Sequence, residues 1–555
     1  MNPNTPHSPD LVQRSTTMRF ICWFFRPRTL GRLLCALLTV VTVIALFYAE
    51  ERWRGKRAWT RFADAQNAQG NQLDWESFIP PKVPDEQNFA ACAALAPLLD
   101  FLPGTQTRRD TNAFQRMSKL SQQSMDEAKR LGFELDRRAY RGWQSGERAN
   151  LSALLGSKAD RNKAAVPDKS TTPEEVDPAK ARRAAESLLA VLKATYDPVL
   201  EELRMASQRR YSRFNIAYES RDLWSILLPH LAYVKSAAEA CAWRASAELT
   251  LGQADRAYED LVLASYLSDS IKEEPILISF LVRISCRAFT TQVVWEGIST
   301  HQWTDQQLQS VEALLANDDF PKQLVRSTSA ERAAVVRTAD QFRAGMDHPR
   351  LSDLGGPDTP LTGGVPDWLV PGGWFYFEEL NYCLATERIL QPLEEWRNGR
   401  LDSHSFFNQV TDVTRQIAEG EKNGTLLNHH LFERIFLPGW QGIILKSFYA
   451  QGRNDLTRTA CALERWFLAN GQYPEKLADL APKFIAKVPL DLMSGKSLVY
   501  RRDQAKGFIL YSVGGNFTDD GGRATSRGHT NDQMDRMRDE PGLEEGDWVW
   551  RQPTT

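Results

Sequence analysis

The chain lacks a cysteine framework. Its 7 Cys stand at positions 22, 35, 92, 241, 286, 383 and 461, an odd number with no short spacing. That pattern excludes a disulfide-stapled scaffold and a zinc knuckle, and most of these residues read as small buried hydrophobes. No charge of one sign dominates either: 68 Lys and Arg against 70 Asp and Glu leave a net charge of −2. No overall field therefore draws the chain to nucleic acid or to an anionic membrane surface. Histidine is scarce, at 8 residues, and HExxH, GxSxG, P-loop and dinucleotide-binding glycine motifs are all missing. The one His pair, His429-His430, would point its rings about 100° apart on a helix and would not easily share a metal. His230 reads as a packed or surface residue rather than a base, and Glu378-Glu379 and Glu394-Glu395 as solvated helix faces. Any catalytic site must be assembled from residues distant in sequence.

What the chain does have is length and apolar content. Its 555 residues, 42% of them hydrophobic, suffice for the cores of two to four domains, and its 16 dispersed Trp read as core and interface packing. Leu33 to Tyr48 contains no charged residue. With Leu30 and Gly31 added, and Arg32 reaching back to the interface, the segment approaches bilayer length. Residues 30–49 are therefore expected to span a membrane once. A cleaved signal peptide fits less well, because Leu46-Phe47-Tyr48-Ala49 lacks a small-x-small cleavage pattern. Ile276 to Ile298 is also apolar, but Arg283, Arg287 and Glu296 interrupt it, as in a buried soluble helix. Basic residues flank both sides of the span: Arg19, Arg26, Arg28 and Arg32 before it, Arg52, Arg54, Lys56, Arg57 and Arg61 after it. Charge thus leaves the orientation open. A first apolar segment followed by a long domain acts as a signal anchor, which places the domain outside the cytoplasm.

Composition divides the rest. Residues 1–29 read as a cytoplasmic tail, 50–156 as a helical juxtamembrane region, 157–180 as a linker, and 181–344 as a helical domain. A Gly- and Pro-rich loop follows at 345–373, a helical region at 374–442, and a final module at 443–555. Within the first of these helical regions, Trp53 to Gln69 and Ala90 to Leu99 are expected as helices around an extended IPPKVP stretch at 79–84. A further helix is expected over Ala181 to Ala194. Ala245, Gly252, Ala257, Leu261 and Ala264 match the second half of a tetratricopeptide repeat, with Gly252 at the turn between two close helices. A single unit makes no array, so the expectation is an irregular helical bundle or solenoid-like region.

At the end of the chain, an apolar stripe through Leu445, Phe448, Leu456, Leu463 and Phe467 predicts a helix, with an interruption near Gly452 and a stop at Asn470-Gly471. A helical turn follows around Leu477 and Leu480; residues 497–501 and 508–513 predict a hairpin, and 547–550 a last strand. Between them, Asn516, Asp519 and Asp520 place hard oxygen donors in a glycine-rich loop, the donor type that calcium takes. The spacing is not that of an EF-hand, and a solvated acidic turn is the alternative.

Leu463, Gly471, Tyr473, Pro474, Pro489, Asp491, Gly495, Tyr511 and Asp520-Gly521-Gly522 resemble the C-terminal region of the type II secretion major pseudopilins. The resemblance implies a long helix on a small antiparallel sheet, with calcium held by a loop beside it. It covers only the end of the chain, and the anchor lies far upstream rather than at the start of that helix, so assembly into a pilus is not implied. The whole chain also resembles bacterial single-pass proteins that share the PPKVPDEQNFA, GGWFYFEEL and GDWVW segments. That likeness implies architecture and no activity. The expectation is a mainly α protein with an N-terminal transmembrane helix and a small α+β C-terminal module. It would sit in the inner membrane with a periplasmic domain and act without catalysis, as a scaffold linked to secretion whose central helices receive a protein partner. An anchored hydrolase is the alternative.

Overall fold

The computed structural model describes residues 23–24, 27–102, 105–132, 148–149, 151, 178–344, 371–422, 429–502, 507–524 and 546–551. The tail up to residue 22, nearly all of the 157–180 linker and residues 345–370 of the Gly- and Pro-rich loop lie outside them.

Helix α1, Pro27–Ala68, runs unbroken for 42 residues, about 63 Å at 1.5 Å per residue. It is long and apolar enough to cross a membrane, and its most apolar stretch is not buried at all. The expected helix over Ala90 to Leu99 does not form. Short 3₁₀ turns stand at Phe89–Ala91 and Ala96–Leu98 instead. The reason is tertiary: Phe89 N donates to Tyr211 O at 2.7 Å and Tyr211 N to Gln87 O at 3.0 Å, which commits this backbone to a neighbouring segment. Pro97 then removes a helical donor.

Helix α2, Pro178–Thr195, covers the expected Ala181 to Ala194. The repeat-like hairpin is α3, Pro229–Thr250, and α4, Ala254–Asp269. Gly252 turns it at φ 75°, a conformation costly for any residue with a Cβ. Ala245, Ala257 and Ala264 are fully buried, so the two backbones approach closely. Helix α5, Leu277–Ser299, is the interrupted apolar segment, and α6, Asp305–Leu315, starts at a Thr304–Gln307 capping box. Then follow α7, Phe320–Ala344, α8, Phe375–Arg397, α9, Ser403–Lys422, and α10, Trp440–Asn470. Strands β1, Val499–Arg502, β2, Phe508–Ser512, and β3, Trp548–Arg551, form an antiparallel sheet in chain order. Val499 faces Tyr511 in the first pair, and Tyr511 faces Val549 in the second.

Two compact units divide the chain. The smaller comprises Met1–Asn71, Ala339–Asn381 and Thr425–Leu431. There α1 meets the 3₁₀ turn Gly372–Trp374 at a glycine contact: a Cβ on Gly55 would lie 2.9 Å from Tyr376 Cβ, and one on Gly373 would lie 2.7 Å from Arg52 Cα. Glu378 and Glu379 do not form a solvated face as expected. Both are buried, and Arg343 reaches Glu379 at 2.6 Å. Burial pushes the Glu379 carboxyl up to about 8, against the pull of Arg343. His429 is not helical; it has φ 53° ahead of the short helix Leu431–Phe436, and its ring stacks on Phe377.

The larger unit comprises Gln72–Thr338, Tyr382–Gly424 and Phe432–Thr555. Its helical part buries Cys241, Trp243, Cys286 and Trp295. The expected break in α10 near Gly452 is absent. The glycine is there for packing, since a Cβ on it would lie 2.8 Å from the Trp548 ring. Helix α10 is buried around most of its circumference from Ile444 to Arg465, the mark of a helix inside a domain. It packs on α5 and α6 on one side and on β2 and β3 on the other. Gly471 ends it at φ 71°, as the Asn470-Gly471 signal predicted.

Candidate functional site

Helix α10 carries polar side chains into its own core, and several find partners there. Arg453 donates to Ile284 O at 3.2 Å and Asn454 to Leu315 O at 2.9 Å. Arg458 pairs with Glu312 at 2.8 Å. Beside it, the two arginines that interrupt α5 are neutralised as buried charges must be. Arg283 and Arg287 share Asp269, at 2.8 and 2.7 Å, and both also contact Asp318. Burial alone would raise the Asp269 carboxyl; Arg287 and Arg283 outweigh it and hold it below its ordinary value. His230 is fully buried under Phe214, and its Nε2 stands 2.9 Å from Glu274, which also accepts from Ser279. Ser279 thus bonds the carboxylate and not the imidazole, so this trio is no nucleophile–base pair.

A second polar group reaches the surface. Glu464 of α10 is fully buried, and its carboxylate holds His301 Nδ1 at 2.7 Å and the Tyr473 hydroxyl at 2.9 Å. His301 follows α5 with φ 54°, and its ring stacks on Phe467 at 4.5 Å, which stacks in turn on Tyr473 at 4.9 Å. The His301 side chain is 41% exposed. The hydrogen bond to the Glu464 carboxylate raises its imidazole above the ordinary value, against partial burial. Nothing in the sequence near His301 marked it, because its partner lies 163 residues away.

The predicted donor loop lies against the sheet. Asn516 Nδ2 donates to Asp520 Oδ2 at 2.8 Å, so these two meet. Asp519 turns elsewhere: its Oδ1 accepts from the Tyr511 hydroxyl at 2.8 Å and from Gly521 N at 2.9 Å. These donors, the Gly521 amide first, lower its carboxyl below the ordinary value. The loop is organised by a residue that no sequence motif marks. Asp547, next to β3, accepts from Asp520 N at 3.2 Å and Gly522 N at 2.7 Å. Burial raises the Asp547 carboxyl, and the nearby Asp520 and Asp519 push the same way. Among the described residues no three His, Cys, Asp or Glu side chains are grouped to hold a metal.

Between α4, α5 and α6 runs an apolar cleft lined by Tyr258, Val262, Val294, Val311 and Leu314. Val262 is 41% exposed there. Compared with known proteins, the chain matches no described family, no curated protein and no solved structure.

Proposed function

We propose that the protein is a non-enzymatic, membrane-anchored scaffold that binds a protein partner through its central helices. The observation that carries this reading is the α4–α5–α6 cleft, an apolar, partly open seam on a repeat-like hairpin. Such seams accept apolar side chains of a partner helix or peptide. A photoreactive residue at Val262 in the full chain should give one discrete adduct in intact membranes. Val262→Asp should abolish that adduct when the probe is moved to Leu314. If no adduct forms at either position, the scaffold reading fails.

The anchor is proposed to be residues 30–49, uncleaved, in the inner membrane with the remainder periplasmic. Protease added to spheroplasts should then degrade the domain before permeabilisation. Protection until the membrane is breached would reverse the orientation. The C-terminal residues 443–555 are proposed to descend from a pseudopilin-like module, supported by the order of long helix, 3₁₀ turn and antiparallel sheet. Calcium is proposed for its loop through Asn516, Asp519 and Asp520, supported by the meeting of Asn516 and Asp520 at 2.8 Å.

One observation favours a second reading, an anchored hydrolase. A buried carboxylate orients an exposed imidazole in the Glu464–His301 pair, as a general base requires. His301→Gln would remove such activity on a panel of ester and peptide substrates, and an unchanged rate would eliminate the dyad.

A further inference from the structure

We propose that α1, just beyond its apolar stretch, carries a binding stripe for anionic phospholipid headgroups built on Trp53, Lys56 and Arg57. This rests on the anchored reading of residues 30–49. Helix α1 continues without a break from the apolar stretch to Ala68, so the residues that follow Tyr48 must pass through the headgroup layer. At 1.5 Å per residue Trp53 stands about 8 Å past Tyr48, and Arg57 about 14 Å. The polar layer of one leaflet is about 5–8 Å deep.

The two faces of this stretch differ. Glu51, Gly55 and Gln66 are buried in the smaller unit. Trp53, Lys56, Arg57 and Arg61 face outward, and Trp53 is 61% exposed. A helical side chain slopes toward the helix N-terminus, which on α1 means back toward the bilayer. The Arg57 guanidinium does so, lying over the Trp53 ring at 5.5 Å. Basic side chains one turn too far along the helix are thereby returned to the headgroups, while the indole takes the interfacial position that Trp favours.

Charge on this face is unspent. Arg54 is engaged by Glu50 at 3.5 Å and Glu51 at 3.2 Å, whereas Arg52, Lys56, Arg57 and Arg61 form no ion pair with a described residue. The glycine contact of Gly55 with the 372–376 segment fixes the rotation of α1, so the stripe is held outward rather than free to turn. A phosphodiester accepting from Lys56 and Arg57 would complete the arrangement, and a neutral zwitterionic headgroup supplies less net attraction.

The test uses the full chain in nanodiscs of phosphatidylcholine with and without phosphatidylglycerol. Lipid retained per chain is read by native mass spectrometry. Wild type should retain phosphatidylglycerol preferentially, and Lys56→Gln/Arg57→Gln should lower that preference by about tenfold or more. Lys322→Gln/Lys487→Gln, an equal loss of charge in the other unit, should leave it unchanged. Equal retention by wild type and the Lys56/Arg57 variant overturns the stripe. Alkaline carbonate extraction separates the two readings: a chain released by it was never anchored, whereas one that resists it but shows no lipid preference keeps the anchor and loses only the stripe.

Discussion

The indole N–H of Trp295 donates to the backbone carbonyl of Arg551 at 2.8 Å, joining positions 256 residues apart. Trp295 is fully buried in α5 and Arg551 ends β3. The last strand of the chain is therefore tied into the helical core. Trp295→Phe keeps most of the volume and leaves the carbonyl without this donor, a cost of about 1–3 kcal/mol. Urea denaturation should show that loss in one cooperative transition followed by both near-ultraviolet and far-ultraviolet dichroism. Separate transitions for helix and sheet would mean the contact is incidental.

The buried pairs of α5 make a second prediction. Arg287 is almost wholly enclosed, between Asp269 at 2.7 Å and Asp318 at 2.9 Å. Arg287→Leu leaves Asp269 and Asp318 to share the single guanidinium of Arg283 and should destabilise by about 3–5 kcal/mol. The double change Arg287→Leu, Asp318→Asn should recover part of that loss, because Arg283 and Asp269 then remain as a balanced pair. Thermal melts of the detergent-solubilised chain would show whether it does.

His301 gives a pH dependence with a definite sign. Its folded value is raised above the ordinary 6.5, chiefly by the bond to Glu464. The stabilisation is thus complete below about 6.5 and is lost as pH rises through the higher folded value. Other buried groups slope the same way: burial, with Asp260, pushes Glu248 up to about 8, which also costs stability as pH rises. The comparison must therefore be between proteins. The stability difference between wild type and His301→Gln should shrink from pH 6 to pH 8, and a difference independent of pH would mean that His301 is not charged in the folded state.

Much of this fold was legible in the sequence where the signal is local. Gly252 and Gly471 need positive φ, the Arg283, Arg287 and Glu296 interruptions marked α5 as a protein-core helix, and the change of period in the last stretch of the chain announced the sheet. The misses share one cause, long-range packing. Gly452 reads as a helix breaker until Trp548 is placed over it. Glu379 reads as solvated until Arg343 arrives from another helix. Ala90 to Leu99 reads as helical until Tyr211 claims its backbone. Asp547 and His301 escaped notice as site residues because their partners lie 25 or more residues away, at Gly522 and Glu464.

The loop at 514–522 allows the last prediction. The carboxylates of Asp519 and Asp520 are near enough to Asp547 to raise it, although among the described residues no three such side chains are grouped to hold a metal. The donors are nevertheless engaged: a cation would have to displace the Tyr511 hydroxyl from Asp519 and the Asn516 amide from Asp520. That competition weakens binding toward the range of about 10⁻⁴–10⁻³ M found in extracellular modules. Millimolar calcium should raise the melting temperature of the full chain by a few degrees, chelator should reverse it, and magnesium, which demands stricter octahedral geometry, should do less. Asp520→Asn should abolish the increment while leaving the calcium-free melting temperature close to wild type. Asp547→Asn is the contrasting variant: because Asp547 holds the amides of Asp520 and Gly522, it should lower the melting temperature even without calcium. If calcium and chelator leave wild-type melting unchanged, the loop is an acidic turn fastened by Asp547.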